Sequence, residues 1–300
     1  HDTGVVGCTR SAGVALLGSI CVEGIKAGGF TGLSNPVGDP FWIDYVAHEM
    51  GHQFGANHTF NAASGSCSGN RASSAAYEPG AGSTIMGYAG ICGSVDNYQN
   101  ASDAYFHSRS YEEINAHLDS LPPGKPATSA TGNTIPQNVD AGSDFTIPKQ
   151  TPFSLTASAS DPDGDTLTYC WEQRDLGPAQ SINEPDNGSS PLFRSFTPSP
   201  SPTRTFPRLA DLLQNTSEPE ERLPVLGRNM DFRVTVRDNR AGGGGVDIDD
   251  MVVTVDPSSG PFTVTSPNSS LTWLSGTQTV TWDVANTSRA PVGAANVYIQ

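Results

Sequence analysis

Five residues in one short stretch carry chemistry: His48, Glu49, His52, Gly55 and His58. The stretch reads His48-Glu49-Met50-Gly51-His52-Gln53-Phe54-Gly55-Ala56-Asn57-His58. On a helix, His48 and His52 lie one turn apart and leave the same face. Two imidazoles so placed can hold one Zn²⁺ at ~2.0–2.1 Å each. Gly55 allows a left-handed backbone turn, which ends the helix and brings His58 back as a third nitrogen ligand. Three nitrogen ligands leave a fourth position open, the pattern of a catalytic rather than a structural zinc. Glu49 stands one step round the helix, placed to take a proton without being a ligand. The chain has six His in 300 residues. A chance match to this spacing is on the order of 10⁻⁵ at such frequencies.

The motif needs a helix, and the sequence supplies one. Asp39 is a candidate cap and Pro40 suits a first helical position. Ile43, Val46, Ala47 and Met50 recur at helical spacing. Downstream, Ser110 and Glu113 have the spacing of a capping box, and Ile114 and Leu118 continue an apolar helix face. His107 and His117 read as surface or core histidines.

His-Glu-x-x-His-x-x-Gly-x-x-His is similar to the signature of the metzincin zinc endopeptidases. Ser83-Thr84-Ile85-Met86-Gly87-Tyr88 resembles their Met-turn, in which Met86 would form an apolar floor below the metal. The upstream run from Gly13 to Cys21 resembles the edge strand of the reprolysin/adamalysin group. That resemblance implies that Gly13, Val14, Ala15 and Leu16 offer a strand edge to an extended peptide substrate, with Gly13 and Gly18 letting the substrate backbone come close. Two departures stand beside it: Thr59-Phe60 follow His58 where reprolysins place Asp, and Thr84 precedes Met86 where they place Cys. Tyr88, two residues after Met86, is similar to the Tyr of astacins, serralysins and pappalysins, and implies a hydroxyl that hydrogen-bonds the oxyanion. The activity implied is peptide hydrolysis with one catalytic Zn²⁺ and Glu49 as general base. The alternative is an adhesion or binding protein whose catalytic segment is inactive or latent.

Length and composition set the frame. Three hundred residues suggest two domains and part of a third. With 32 Gly and 23 Pro, turn-rich β structure is favoured over helix bundles. The net charge of −15 leaves no basic face for nucleic acid. No apolar run approaches the ~20 residues of a membrane span. An acidic, Lys-poor, Ser/Thr/Gly-rich chain fits a secreted or cell-surface bacterial protein. The expected fold is multidomain: an α+β metzincin-like catalytic domain over 1–122, a linker over 123–138, and an all-β immunoglobulin-like sandwich over 139–257 of cadherin or polycystic-kidney-disease type. Residues 258–300 read as the opening of a second sandwich. The catalytic domain reads as N-terminally truncated, because the strands and long helix that metzincins carry before the edge strand are not found ahead of Gly13. Strands are expected at 144–148, 153–157, 166–172, 231–237 and 249–255, with a helical turn at 209–214.

Cys8, Cys21, Cys67 and Cys92 allow three pairings. The pairs nearest in sequence, Cys8–Cys21 and Cys67–Cys92, are the ones expected, with Cys170 a buried thiol. Asp161, Asp163 and Asp165 alternate in a turn before a strand and read either as a plain acidic turn or as a Ca²⁺ site. The substrate is a protein or peptide; the oligomeric state is not legible.

Overall fold

The computed structural model describes residues 12–26, 28–122 and 132–296. The first region is built for positioning rather than for regularity. Strand β1 (Ala12–Ala15) pairs antiparallel with β2 (Gly29–Gly32), Val14 facing Phe30. Then comes a continuous helical stretch: α1 (Asp39–Phe41), a π-helical segment Trp42–Ala47, and α2 (His48–Gln53). The cap is Gly38 rather than Asp39, which lies in the first turn with no side-chain cap bond. The π segment loosens the coil just before the first histidine, where the His48 amide bonds the Ile43 carbonyl. It also changes which residues face inward. Ile43 and Ala47 pack on the core below, whereas Met50 is exposed and does not belong to the expected apolar stripe.

From Phe54 to His107 the described chain has one regular turn, the 3₁₀ segment Gly65–Cys67. Yet this stretch buries Phe60, Ala62, Ala81 and the Cys67–Cys92 disulfide in one cluster. Helix α3 (Ser108–Ser120) closes the region. Its cap is His107, whose Nδ1 accepts the Arg109 amide at 3.0 Å. The expected capping box therefore does not form: Ser110 is buried inside the first turn, and Glu113 reaches away to Asn57.

The second region is β-rich. Its strands are β3 (Gln137–Asp140), β4 (Phe145–Pro148), β5 (Phe153–Thr156), β6 (Ser158–Ser160), β7 (Thr168–Gln173), β8 (Thr203–Phe206), β9 (Asn229–Arg237) and β10 (Val246–Asp256). A short helix α4 (Leu209–Gln214) follows β8. One sheet runs β4-β10-β9-β7, with β4 parallel to β10; β3 pairs β6 and β5 pairs β8. Strand β3 begins at Gln137, inside the stretch expected to be linker. Phe153, Phe193, Phe206 and Phe232 meet at the centre with ring centroids 4.9–6.2 Å apart. A last pair, β11 (Thr263–Ser266) and β12 (Thr281–Asp283), lies exposed beyond it. Among the described residues no helix is long and apolar enough to cross a membrane.

Alternation along β7 and β9 explains how the two regions join. Trp171, Phe232, Val234 and Val236 point into the aromatic core. The opposite face carries Cys170, Glu172, Arg233 and Thr235, and these are buried too. What covers them is the first region. Glu172 accepts the Ser108 amide at 2.8 Å and lies 3.7 Å from His107. Glu112 of α3 takes Arg174 at 2.8 Å and also Arg233, which binds Asp250 at 2.6 Å. Burial alone would raise the Glu112 carboxyl, but the two guanidiniums hold it down to about 2. Cys170 is buried, as read from the sequence, and burial pushes its thiol up to about 12.

Candidate metal centre

His48 and His52 leave α2 on one side. Gly55, at φ 97°, turns the chain so that His58 faces them. The Nε2 atoms of His48 and His58 are 3.3 Å apart, and those of His52 and His58 are 3.0 Å apart. A tetrahedral zinc with bonds of ~2.0–2.1 Å separates its ligands by ~3.3–3.4 Å, so the spacing is that of a coordination shell.

The other ring nitrogens decide the protonation. Each Nδ1 is held by a backbone carbonyl: His48 by Ile85 at 2.7 Å, His52 by Ala56 at 2.8 Å, His58 by Asn70 at 2.6 Å. A carbonyl only accepts, so each Nδ1 carries the hydrogen and each Nε2 turns a lone pair inward. Three lone pairs facing one another repel unless a cation sits among them. Burial pushes His48 down to about 3 and His58 down to about 4, and lowers His52, which keeps the rings neutral and able to ligate. The residues present thus fit a zinc ion.

Glu49 is buried beside them, and its Oε2 has no hydrogen-bond partner. Burial raises its carboxyl to about 7. What covers it is β1. A Cβ on Gly13 would come within 2.1 Å of Glu49 Oε1. The glycine therefore allows a close approach to Glu49, and it also lines the cleft beside the three histidines. Gly18 likewise faces His117. Of the other edge-strand residues, Val14 and Leu16 are exposed and Ala15 is half-buried. Among the described residues β1 has β2 as its strand partner along one edge only.

Met86 is fully buried under α2, and a Cβ on Gly51 would meet its sulfur at 2.4 Å. Ile85 next to it links the centre to the β-rich region. Its amide donates to the Tyr105 carbonyl at 3.1 Å, and the Tyr105 hydroxyl donates to Ser195 Oγ at 2.7 Å. Tyr88 stands half-buried against the ligands, its ring centroid 4.5 Å from His58 and 5.6 Å from His48. Burial, with Glu49 nearby, pushes its hydroxyl up to about 12. A cleft of about 530 Å³ opens here, lined by Gly13, Tyr45, His48, Glu49 and Tyr88.

Two carboxylates have a role at the centre that the sequence did not show. Glu113 takes the Asn57 amide at 2.8 Å and its side-chain amide at 2.9 Å. Glu78 takes Thr59 at 2.5 Å. They grip both neighbours of His58.

The second candidate metal site does not receive the same support. Asp161, Asp163 and Asp165 lie together, but Asp161 Oδ1 accepts the amides of Asp163 and Asp165, each at 2.9 Å. Asp163 accepts the Thr134 amide and Asp165 pairs with Arg240. One oxygen of each carboxylate is engaged in turn or ion-pair contacts, and calcium is not supported. The Cys67–Cys92 pairing is present; the Cys8–Cys21 pairing falls outside the described residues.

No curated protein matches the chain. Residues 5–107 match the model of the reprolysin-like metallo-peptidases of family M12B. That match covers about a third of the chain and spans all three histidines, Glu49, Met86 and Tyr88, so this segment is similar to the reprolysin-like M12B metallopeptidases at the residues that converge.

Proposed function

We propose that the chain is a metzincin-type zinc endopeptidase, secreted or displayed at a cell surface, with an immunoglobulin-like sandwich behind its catalytic segment. The observation that carries the reading is the convergence of three neutral imidazoles beside the unpartnered carboxylate of Glu49. Held by His48, His52 and His58, zinc would supply Lewis acidity toward a peptide carbonyl and acidify water. Glu49, raised to about 7, accepts the water proton and delivers it to the leaving amine nitrogen. The Tyr88 hydroxyl stays protonated at neutral pH and donates to the oxyanion. An extended peptide adds to the strand edge of β1. The disulfide Cys67–Cys92 supports an oxidising location.

The test is elemental analysis of wild type and of His52→Ala, with casein cleavage assayed alongside. One zinc per chain is expected, lost in the variant together with cleavage. Glu49→Ala should keep its zinc and lose about 10²–10⁴-fold in kcat/KM. Zinc with no cleavage would favour the binding-protein alternative, and a folded wild type without zinc would overturn the reading.

A further inference from the structure

We propose that Glu78 is a positioning residue of the metal centre: its carboxylate fastens the loop that carries His58 to the loop that carries Met86. The proposal rests on the zinc reading above. Glu78 is buried, and no Lys, Arg or His among the described residues is in ion-pair distance of it. Its charge is met instead by five donors. Oε2 accepts the hydroxyls of Thr59 at 2.5 Å and Thr84 at 2.6 Å. Oε1 accepts the Ser83 amide at 2.8 Å, the Thr84 amide at 3.1 Å and the Ser83 hydroxyl at 3.2 Å.

The placement of these donors is what matters. Thr59 directly follows the third ligand, and Ser83 and Thr84 lead into Ile85 and Met86. Ile85 holds His48 Nδ1, and Met86 accepts the Thr59 amide at 3.1 Å. The Glu78 backbone joins the same ladder, its amide donating to the Thr59 carbonyl at 2.9 Å. One side chain thus sets the distance between the strap bearing His58 and the floor that orients His48. A carboxylate accepts only, so the two amides and the two threonine hydroxyls donate to it, while the single Ser83 hydroxyl hydrogen is shared between Glu78 Oε1 and the Ser195 carbonyl, each at 3.2 Å. Alanine at 78 would leave two amides and their neighbouring hydroxyls buried without that acceptor. Glutamine would keep the set, because its oxygen can take the amides while its NH₂ donates to hydroxyls that can also accept.

Zinc affinity, measured by competition with a chromophoric chelator, reads the effect without any assay of cleavage. Glu78→Ala is expected to weaken zinc binding 10–100-fold, the range for groups that orient metal ligands. Glu78→Gln should bind as wild type does, and Thr59→Val should fall between. The control is Phe206→Ala, which destabilises the β-rich core and should leave zinc affinity unchanged. If Glu78→Ala does not fold, Thr59→Val decides. Wild-type affinity in Thr59→Val or in a folded Glu78→Ala overturns the proposal, as does an equal loss in Phe206→Ala, which would mark the effect as general destabilisation. A wild type that binds no zinc, with His58→Ala indistinguishable from it, overturns the function reading and this proposal with it.

Discussion

The metal-centre region and the β-rich region reach order by opposite means. The β-rich region buries a continuous apolar core, with Phe153, Phe193, Phe206 and Phe232 at its heart and Met230, Val234, Val253 and Val255 around them. The metal-centre region has two small apolar clusters, and between Phe54 and His107 almost no regular structure. It is held by directed bonds: carbonyls on imidazoles, carboxylates on loop amides, and the Cys67–Cys92 disulfide. Hydrophobic contact is non-directional, whereas a hydrogen bond fixes both distance and angle. A site that must hold three nitrogens at 3.0–3.3 Å is therefore served by the second kind of contact, and the first supplies the platform.

Substitutions can break or sharpen that contrast. The largest effect on stability belongs to the apolar core. Phe206 is fully buried, and Phe206→Ala should cost ~3–5 kcal/mol, seen as a lower Tm with zinc affinity retained. Loss of zinc in a still-folded Phe206→Ala would show that the two kinds of order are not separable.

Next comes the disulfide. Cys67 and Cys92 are 25 residues apart, and closing such a loop contributes roughly 3 kcal/mol. A Cys67→Ala/Cys92→Ala double variant should lose about that much, and should lose zinc as well, since Asn70, which holds His58, lies inside the loop. Retained zinc at reduced Tm would assign the bridge to general stability alone.

The smallest effect is a pH dependence confined to the centre. In the metal-free chain the folded values of His48 and His58 lie near 3 and 4, whereas the unfolded value is 6.5. Between those limits the unfolded state binds more protons, so stability falls as pH drops below 6.5. Glu49, raised from 4.5 to about 7, acts in the opposite sense over 4.5–7. Glu221 and Asp175, raised to about 7 and about 6, act in that sense too, so after chelation the three lowered imidazoles contribute a climb in Tm from pH 4 to 6.5 against those opposing carboxyls. His58→Ala should flatten the climb, and an unchanged slope would remove the assignment.

Much of the centre is legible in the sequence because its chemistry is local. His48, Glu49, His52 and His58 lie within eleven residues, and helical periodicity alone puts two rings on one face. The principal strands are legible for a similar reason: alternation and turn residues mark β4, β5, β7, β9 and β10. The roles of Glu78 and Glu113 at the centre were not. A lone carboxylate in a polar loop, such as Glu78, has no period, and Asn57, which Glu113 holds besides its helical neighbour Arg109, is 56 residues away. Nor was the joint between the regions legible. Glu172, Arg174 and Arg233 look like outward-facing strand charges, and only the fold shows that α3 covers them. The capping box misled because Ser110 and Glu113 had the right spacing, while a histidine three residues earlier took the cap.

That joint bears on whether either region can be detached. Here the metal-bearing piece ends in a helix whose Glu112 is neutralised by Arg174 and Arg233, and whose first turn is bonded by Glu172. A rearrangement that copied only the histidines and α3 would strand Glu112 without its cations and leave Tyr105 without Ser195. A graft of either region would have to carry the joint with it.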